Sequence, residues 1–188
     1  MDALVPLFVI AALAEIGDRT QLLGLLLGRR FASKGAVLAG IALATILNMA
    51  IGAAAGAAIG QVVSHRAIQL FTGLALFLAG TGGLLRVKKP DSVEGWRLGA
   101  FLSSALAFFI LELGDKTQFI TAAISAGSGA PVFAAIGAAA GVTLASAPAV
   151  LLADRWPMGL PIRAIRLGVG LLLMLAGLVL AIRALELA

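Results

Sequence analysis

The chain has 188 residues, 61% of them hydrophobic and 12% charged, at a mean hydropathy of +1.09. A water-soluble surface needs far more charge than that, so a soluble domain is excluded and a polytopic helical membrane protein is indicated. The net charge of +5 lies in short loops between apolar runs, where it reads as topology control and not as a nucleic-acid surface, and the absence of cysteine removes disulfide, zinc–thiolate and thiol redox chemistry.

Six apolar segments follow one another, at about 4–28, 35–62, 67–86, 98–124, 131–153 and 162–185. Each reaches the roughly 20 residues a helix needs to cross the hydrocarbon core. Asp2, with no Lys or Arg nearby, lacks the positive region that opens a cleaved signal peptide. The first segment has Pro6 in a first-turn position, where its missing N–H costs nothing, and carries Glu15-Ile16-Gly17-Asp18-Arg19-Thr20-Gln21 in its middle. It stops at Arg29-Arg30.

The second segment holds Asn48 and a GxxxGxxxG face of Gly52, Gly56 and Gly60, read as close helix packing. His65-Arg66 opens the third, and His65 is expected to meet solvent or headgroups and not to relay protons. The polar stretch Val87–Arg97 ends beside Trp96, an expected interfacial anchor. The fourth segment carries Glu112-Leu113-Gly114-Asp115-Lys116-Thr117-Gln118. The fifth has Gly137 and Gly141 as a shorter small-residue face and Pro148 as a candidate kink. Trp156 and Pro161 precede the sixth.

Glu15 and Glu112 stand 97 residues apart, and the same offset aligns Arg66-Ala67-Ile68 with Arg163-Ala164-Ile165 and Gly73, Gly80 with Gly170, Gly177. Residues 1–88 and 98–188 are therefore expected to be two three-helix repeats joined by a short cytoplasmic linker at 89–97. Three crossings reverse direction, so the second repeat is expected to be inverted. Arg29, Arg30, Lys34, Arg86, Lys88, Lys89, Arg97, Arg155, Arg163 and Arg166 flank loops one, three and five, against Arg66 and Arg183 opposite. The positive-inside rule then puts both termini on the non-cytoplasmic side of a cell membrane.

Carboxylates inside apolar segments are costly and mark ion or proton paths when they are kept. On a helix, Glu15 and Asp18 share a face, as do Glu112 and Asp115. Gly17 and Gly114 permit a helix break that would let Thr20, Gln21, Thr117 and Gln118 converge on them. Carboxylate, hydroxyl and amide oxygens suit hard divalent cations such as Mn(II) or Ca(II). Four carboxylates against Arg19 and Lys116 leave about −2, which one divalent cation or two protons neutralise. Competition between them at one site is the minimal physics of an antiporter. A purely structural arrangement is the other reading: Glu15–Arg19 and Glu112–Lys116 as ion pairs four residues apart, with the aspartates satisfied by neighbouring segments. Asn48, with only Ala145 at the matching position, is either a lining ligand or a helix–helix hydrogen bond.

At these motifs the chain resembles the Gdt-type cation/proton exchangers, small membrane proteins with a duplicated Glu-x-Gly-Asp-(Lys/Arg)-(Ser/Thr) sequence, placed near the lysine-exporter superfamily. The resemblance spans essentially the whole chain. It implies a transporter and not an enzyme: a bundle of six transmembrane helices in two inverted repeats that exchanges Mn(II), in some members Ca(II), for protons. By motif position, Glu15, Asp18, Glu112 and Asp115 would bind the cation and the protons. Thr20, Gln21, Thr117 and Gln118 would be supporting ligands, and Gly17 and Gly114 the helix breaks. Cation and protons are then substrates, no cofactor is implied, and a homo-oligomer is neither indicated nor excluded. A passive divalent-cation channel and an exporter of a cationic amino acid are the competing functions.

Overall fold

The computed structural model describes residues 2–90, 95–156, 159 and 161–186. Parts of two expected loops, at 91–94 in the linker and at 157, 158 and 160 before the last segment, lie outside the described residues. Among those described there are eight α-helices and one 3₁₀ turn (Ala153–Arg155), with no strand. The helices are α1 (Leu4–Ala14), α2 (Arg19–Arg30), α3 (Lys34–Val62), α4 (His65–Leu84), α5 (Ala100–Glu112), α6 (Lys116–Ser128), α7 (Pro131–Leu151) and α8 (Ile162–Leu185). Four of them, α3, α4, α7 and α8, are long and apolar enough to cross a membrane.

The apolar segments at 4–28 and 98–124 are not continuous helices. Each is two short ones separated by a motif loop, because Gly17 and Gly114 adopt φ of 73° and 75°, a left-handed conformation that only glycine takes without strain. Elsewhere the boundaries follow from capping. The hydroxyls of Ser33 and Ser64 accept from the N–H groups of Ala36 and Ala67 at 3.4 Å, Pro131 opens α7, and Gly129 closes α6 in the left-handed region. Helix α7 continues through Pro148 to Leu151.

Packing crosses between the two halves. Helices α1 and α2 lie on α7, while α5 and α6 lie on α3, and α4 pairs with α8. The small-residue faces make these contacts. Gly52, Gly56 and Gly60 of α3 meet Gln118, Ala122 and Ala126 of α6, and Gly137 and Gly141 of α7 meet Leu4 and Phe8 of α1. In the α4–α8 pair a Cβ on Gly73 would lie 2.8 Å from the Gly177 carbonyl, and one on Gly170 would lie 2.9 Å from that of Gly80. No larger residue fits there.

Large apolar side chains point outward: Leu78, Ile110, Val132 and Leu172 are about two-thirds exposed (66, 65, 66 and 67%). An all-helical protein with such a surface is built for lipid, where this exposure carries no hydrophobic penalty. Trp96 packs against the cluster of Leu23, Leu27 and Phe108, and its carbonyl accepts from Arg30 Nη2 at 2.6 Å.

Candidate functional site

Both motif loops leave the helix at their glutamate and re-enter it just after their aspartate. Asp18 is the N-cap of α2 and accepts from the Arg19 N–H at 2.7 Å; Asp115 is the N-cap of α6. Each aspartate thus sits at a helix N-terminus, where the backbone dipole favours negative charge. Glutamine holds each loop open. Gln21 Oε1 accepts from the Gly17 N–H at 2.9 Å, and Gln118 Oε1 accepts from the Gly114 N–H at 2.7 Å. Their Nε2 groups donate to the other half, Gln21 to the Ala145 carbonyl at 2.9 Å and Gln118 to the Asn48 carbonyl at 2.8 Å. Both amides are therefore turned to backbone and not to the carboxylates.

The two loops meet through their charges. Arg19 Nη2 lies 2.9 Å from Asp115 Oδ1. Lys116 Nζ lies 3.2 Å from Glu15 Oε1, 3.4 Å from Asp115 Oδ2, and in contact with Asp18 Oδ2. The ion pairs four residues apart, Glu15–Arg19 and Glu112–Lys116, do not form; Arg19 pairs into the other half, and Lys116 pairs chiefly there.

Glu15 is fully buried and saturated. Thr117 Oγ1 donates to its Oε1 at 2.6 Å, Thr20 Oγ1 donates to its Oε2, and Lys116 adds a charge-assisted bond. Glu112 is also fully buried, yet neither of its carboxylate oxygens has a partner among the described residues. Asn48 is likewise buried; its Nδ2 donates to the Phe109 carbonyl at 3.1 Å while its Oδ1 has no partner among them. Unpartnered buried oxygens are expensive and need a reason. Glu15, Glu112 and Asp115 each offer an oxygen within 4.8 Å of the others. Ligand oxygens around one hard divalent cation are spaced on that scale, because each lies roughly 2.0–2.6 Å from the metal.

The surroundings of the two loops differ. A cavity of about 340 Å³, lined by Arg19, Leu23, Pro90, Trp96, Gly114 and Asp115, reaches the second loop. A Cβ on Gly114 would meet none of the described residues within 4 Å, whereas one on Gly17 would lie 2.7 Å from the Ile162 side chain and 3.4 Å from Arg166.

The family described as "Divalent cation/proton antiporter GDT1" matches residues 3–91 and again residues 100–188. This chain belongs to it. A protein of Vibrio cholerae serotype O1 (strain ATCC 39541 / Classical Ogawa 395 / O395), described as "Putative manganese exporter", is 39% identical over 171 residues, covering 88% of this chain and 84% of that protein. No solved structure matches. A GDT1 chain is a membrane transporter of cations and not an enzyme.

Within this GDT1 chain, His65 is exposed on the first turn of α4, beside Gln69 at 3.2 Å and away from the acidic loops. Sequence reasoning passes over Ser104 and Ser146, whose buried hydroxyls have no partner among the described residues, and Pro90, which lines the cavity beside Trp96. Their residue types carry no signal that spacing could raise.

Proposed function

We propose that this protein is a secondary antiporter that exchanges a divalent cation, Mn(II) in the first place and Ca(II) in the second, for protons, and so exports the metal from the cytoplasm. The observation that carries the proposal is the fully buried, unpartnered carboxylate of Glu112 beside oxygens of Glu15 and Asp115. A buried carboxylate with no donor is stable only when a proton or a cation neutralises it. Exchange follows if the two neutralising species replace each other at one place. Glu15, Asp18, Glu112 and Asp115 would bind the cation and the protons, with Thr20, Thr117 and the Oδ1 of Asn48 as supporting oxygens. Gln21 and Gln118 would shape the loops, and Arg19 and Lys116 would balance charge.

The same reading makes residues 1–88 and 98–188 two inverted three-span repeats, with α1–α2 and α5–α6 each forming one broken span. The exchanged contacts, α1 on α7 and α5 on α3, support it. Both termini would then lie on the non-cytoplasmic side.

The test is reconstitution in proteoliposomes with a pH-sensitive dye, across Mn(II), Ca(II), Mg(II) and Zn(II). The expected result is Mn(II) movement with opposite proton movement. Metal movement with no proton movement would instead make the protein a channel.

A further inference from the structure

The two motif cations are equivalent in sequence and unlike in place. The Arg19 guanidinium touches one carboxylate, Asp115, and the side chain is 39% exposed, toward the 340 Å³ cavity. Lys116 touches three, from both halves, with its side chain 15% exposed. Its ammonium sits among Glu15, Asp18 and Asp115, and two of these belong to the triad whose oxygens converge with Glu112. Three oxygens gathered around a compact point charge on a flexible stem is how such a cluster would hold a metal ion.

We propose that Lys116 is a tethered stand-in for the transported cation. Its ammonium occupies the carboxylate cluster when no metal is bound, is displaced when a divalent cation enters, and returns to expel it. The device rests on the antiporter reading above and deepens it. It supplies what an exchanger of tightly held ions needs, a way to release cargo without leaving buried Glu15 and the partly buried Asp18 and Asp115 unpaired. Breaking a buried pair by removing one partner is far more costly than exchanging partners. Glu112, the one motif acid that Lys116 does not touch, is left as the opening ligand for the incoming ion. Arg19, wider and held at the cavity edge, has no such position.

Two measurements test this. In equilibrium Mn(II) binding to purified, folded protein, Lys116→Gln should tighten the apparent dissociation constant about tenfold or more and slow metal release, whereas Arg19→Gln should change it by about threefold or less. A simple field effect would tighten both alike, and equal tightening overturns the proposal, as does no tightening in Lys116→Gln. In wild-type protein, a small membrane-permeant acylating reagent with mass-spectrometric readout reports on each lysine amine. Mn(II) should raise the acylation rate of Lys116 several-fold and leave Lys88 and Lys89 unchanged. Protection of Lys116 by Mn(II), or no change, overturns the proposal even where Lys116→Gln does not fold. Wild-type protein that neither binds nor moves any divalent cation would reject the antiporter reading itself, a result distinct from failure of the lysine device.

Discussion

The loop at Glu15 and the loop at Glu112 are spelled almost identically, yet they are in opposite conditions. Glu15 receives two threonine hydroxyls and an ammonium, and the Gly17 loop beside it is covered by Ile162 and Arg166. Glu112 receives no donor from the described residues, and the Gly114 loop beside it opens toward a cavity. Identical motifs therefore need not be identical sites. One half holds a carboxylate with three donors, and the other a carboxylate with none among the described residues.

The largest effects that probe this difference come from the glutamates. Glu15→Gln and Glu112→Gln should each abolish metal-coupled proton movement in proteoliposomes. Their effects on metal-free stability should diverge. Glu15→Gln removes an ion-pair partner of the partly buried Lys116 and should destabilise by about 1–3 kcal/mol. Glu112→Gln replaces a carboxylate that no donor satisfies and should leave the melting temperature unchanged or higher. Equal destabilisation would erase the distinction between the halves.

The glycines give the next effect. Gly17→Ala and Gly114→Ala both place a Cβ in the left-handed region, at about 1–2 kcal/mol each. Only Gly17→Ala also drives its Cβ against Ile162. It should lower thermal stability clearly more than Gly114→Ala, and matching losses would mean that the first loop is not covered as described.

Much of this is legible in the residues themselves. The motif repeat at a constant offset, the glycine at the centre of each copy and the small-residue faces of α3 and α7 follow from residue type and position, because costly residues and Cβ-free positions leave few uses. The pairing of charges is not legible in that way. Glu15–Arg19 and Glu112–Lys116 have ideal local spacing, but the helix stops between them, and once the backbone turns at Gly17 and Gly114 the tertiary approach of the loops decides. The glutamines mislead for a related reason. Residue type points their oxygens at the metal, but an open loop leaves glycine N–H groups in need of acceptors, and those are nearer.

The smallest effects lie at the margins. Arg19→Lys keeps the charge beside Asp115 and loses only guanidinium geometry, so exchange should fall by no more than about threefold. His65→Ala, exposed on α4 and far from both loops in its contacts, should leave transport rate and its pH dependence as they are. A pH profile that shifts in His65→Ala would bring a titrating group from outside the loops into the coupling.

Gln21 and Gln118 act as tie rods. Each is fixed at one end to the bent backbone of its own loop and at the other to the main chain of a long helix from the opposite half. A shift of α7 along its axis is thereby passed to the turn at Gly17 by a single side chain, and a shift of α3 to the turn at Gly114. Rearranging either acidic loop therefore means breaking or carrying along a direct side-chain link to the helix across from it, so each turn that holds charge is tied to the opposite half.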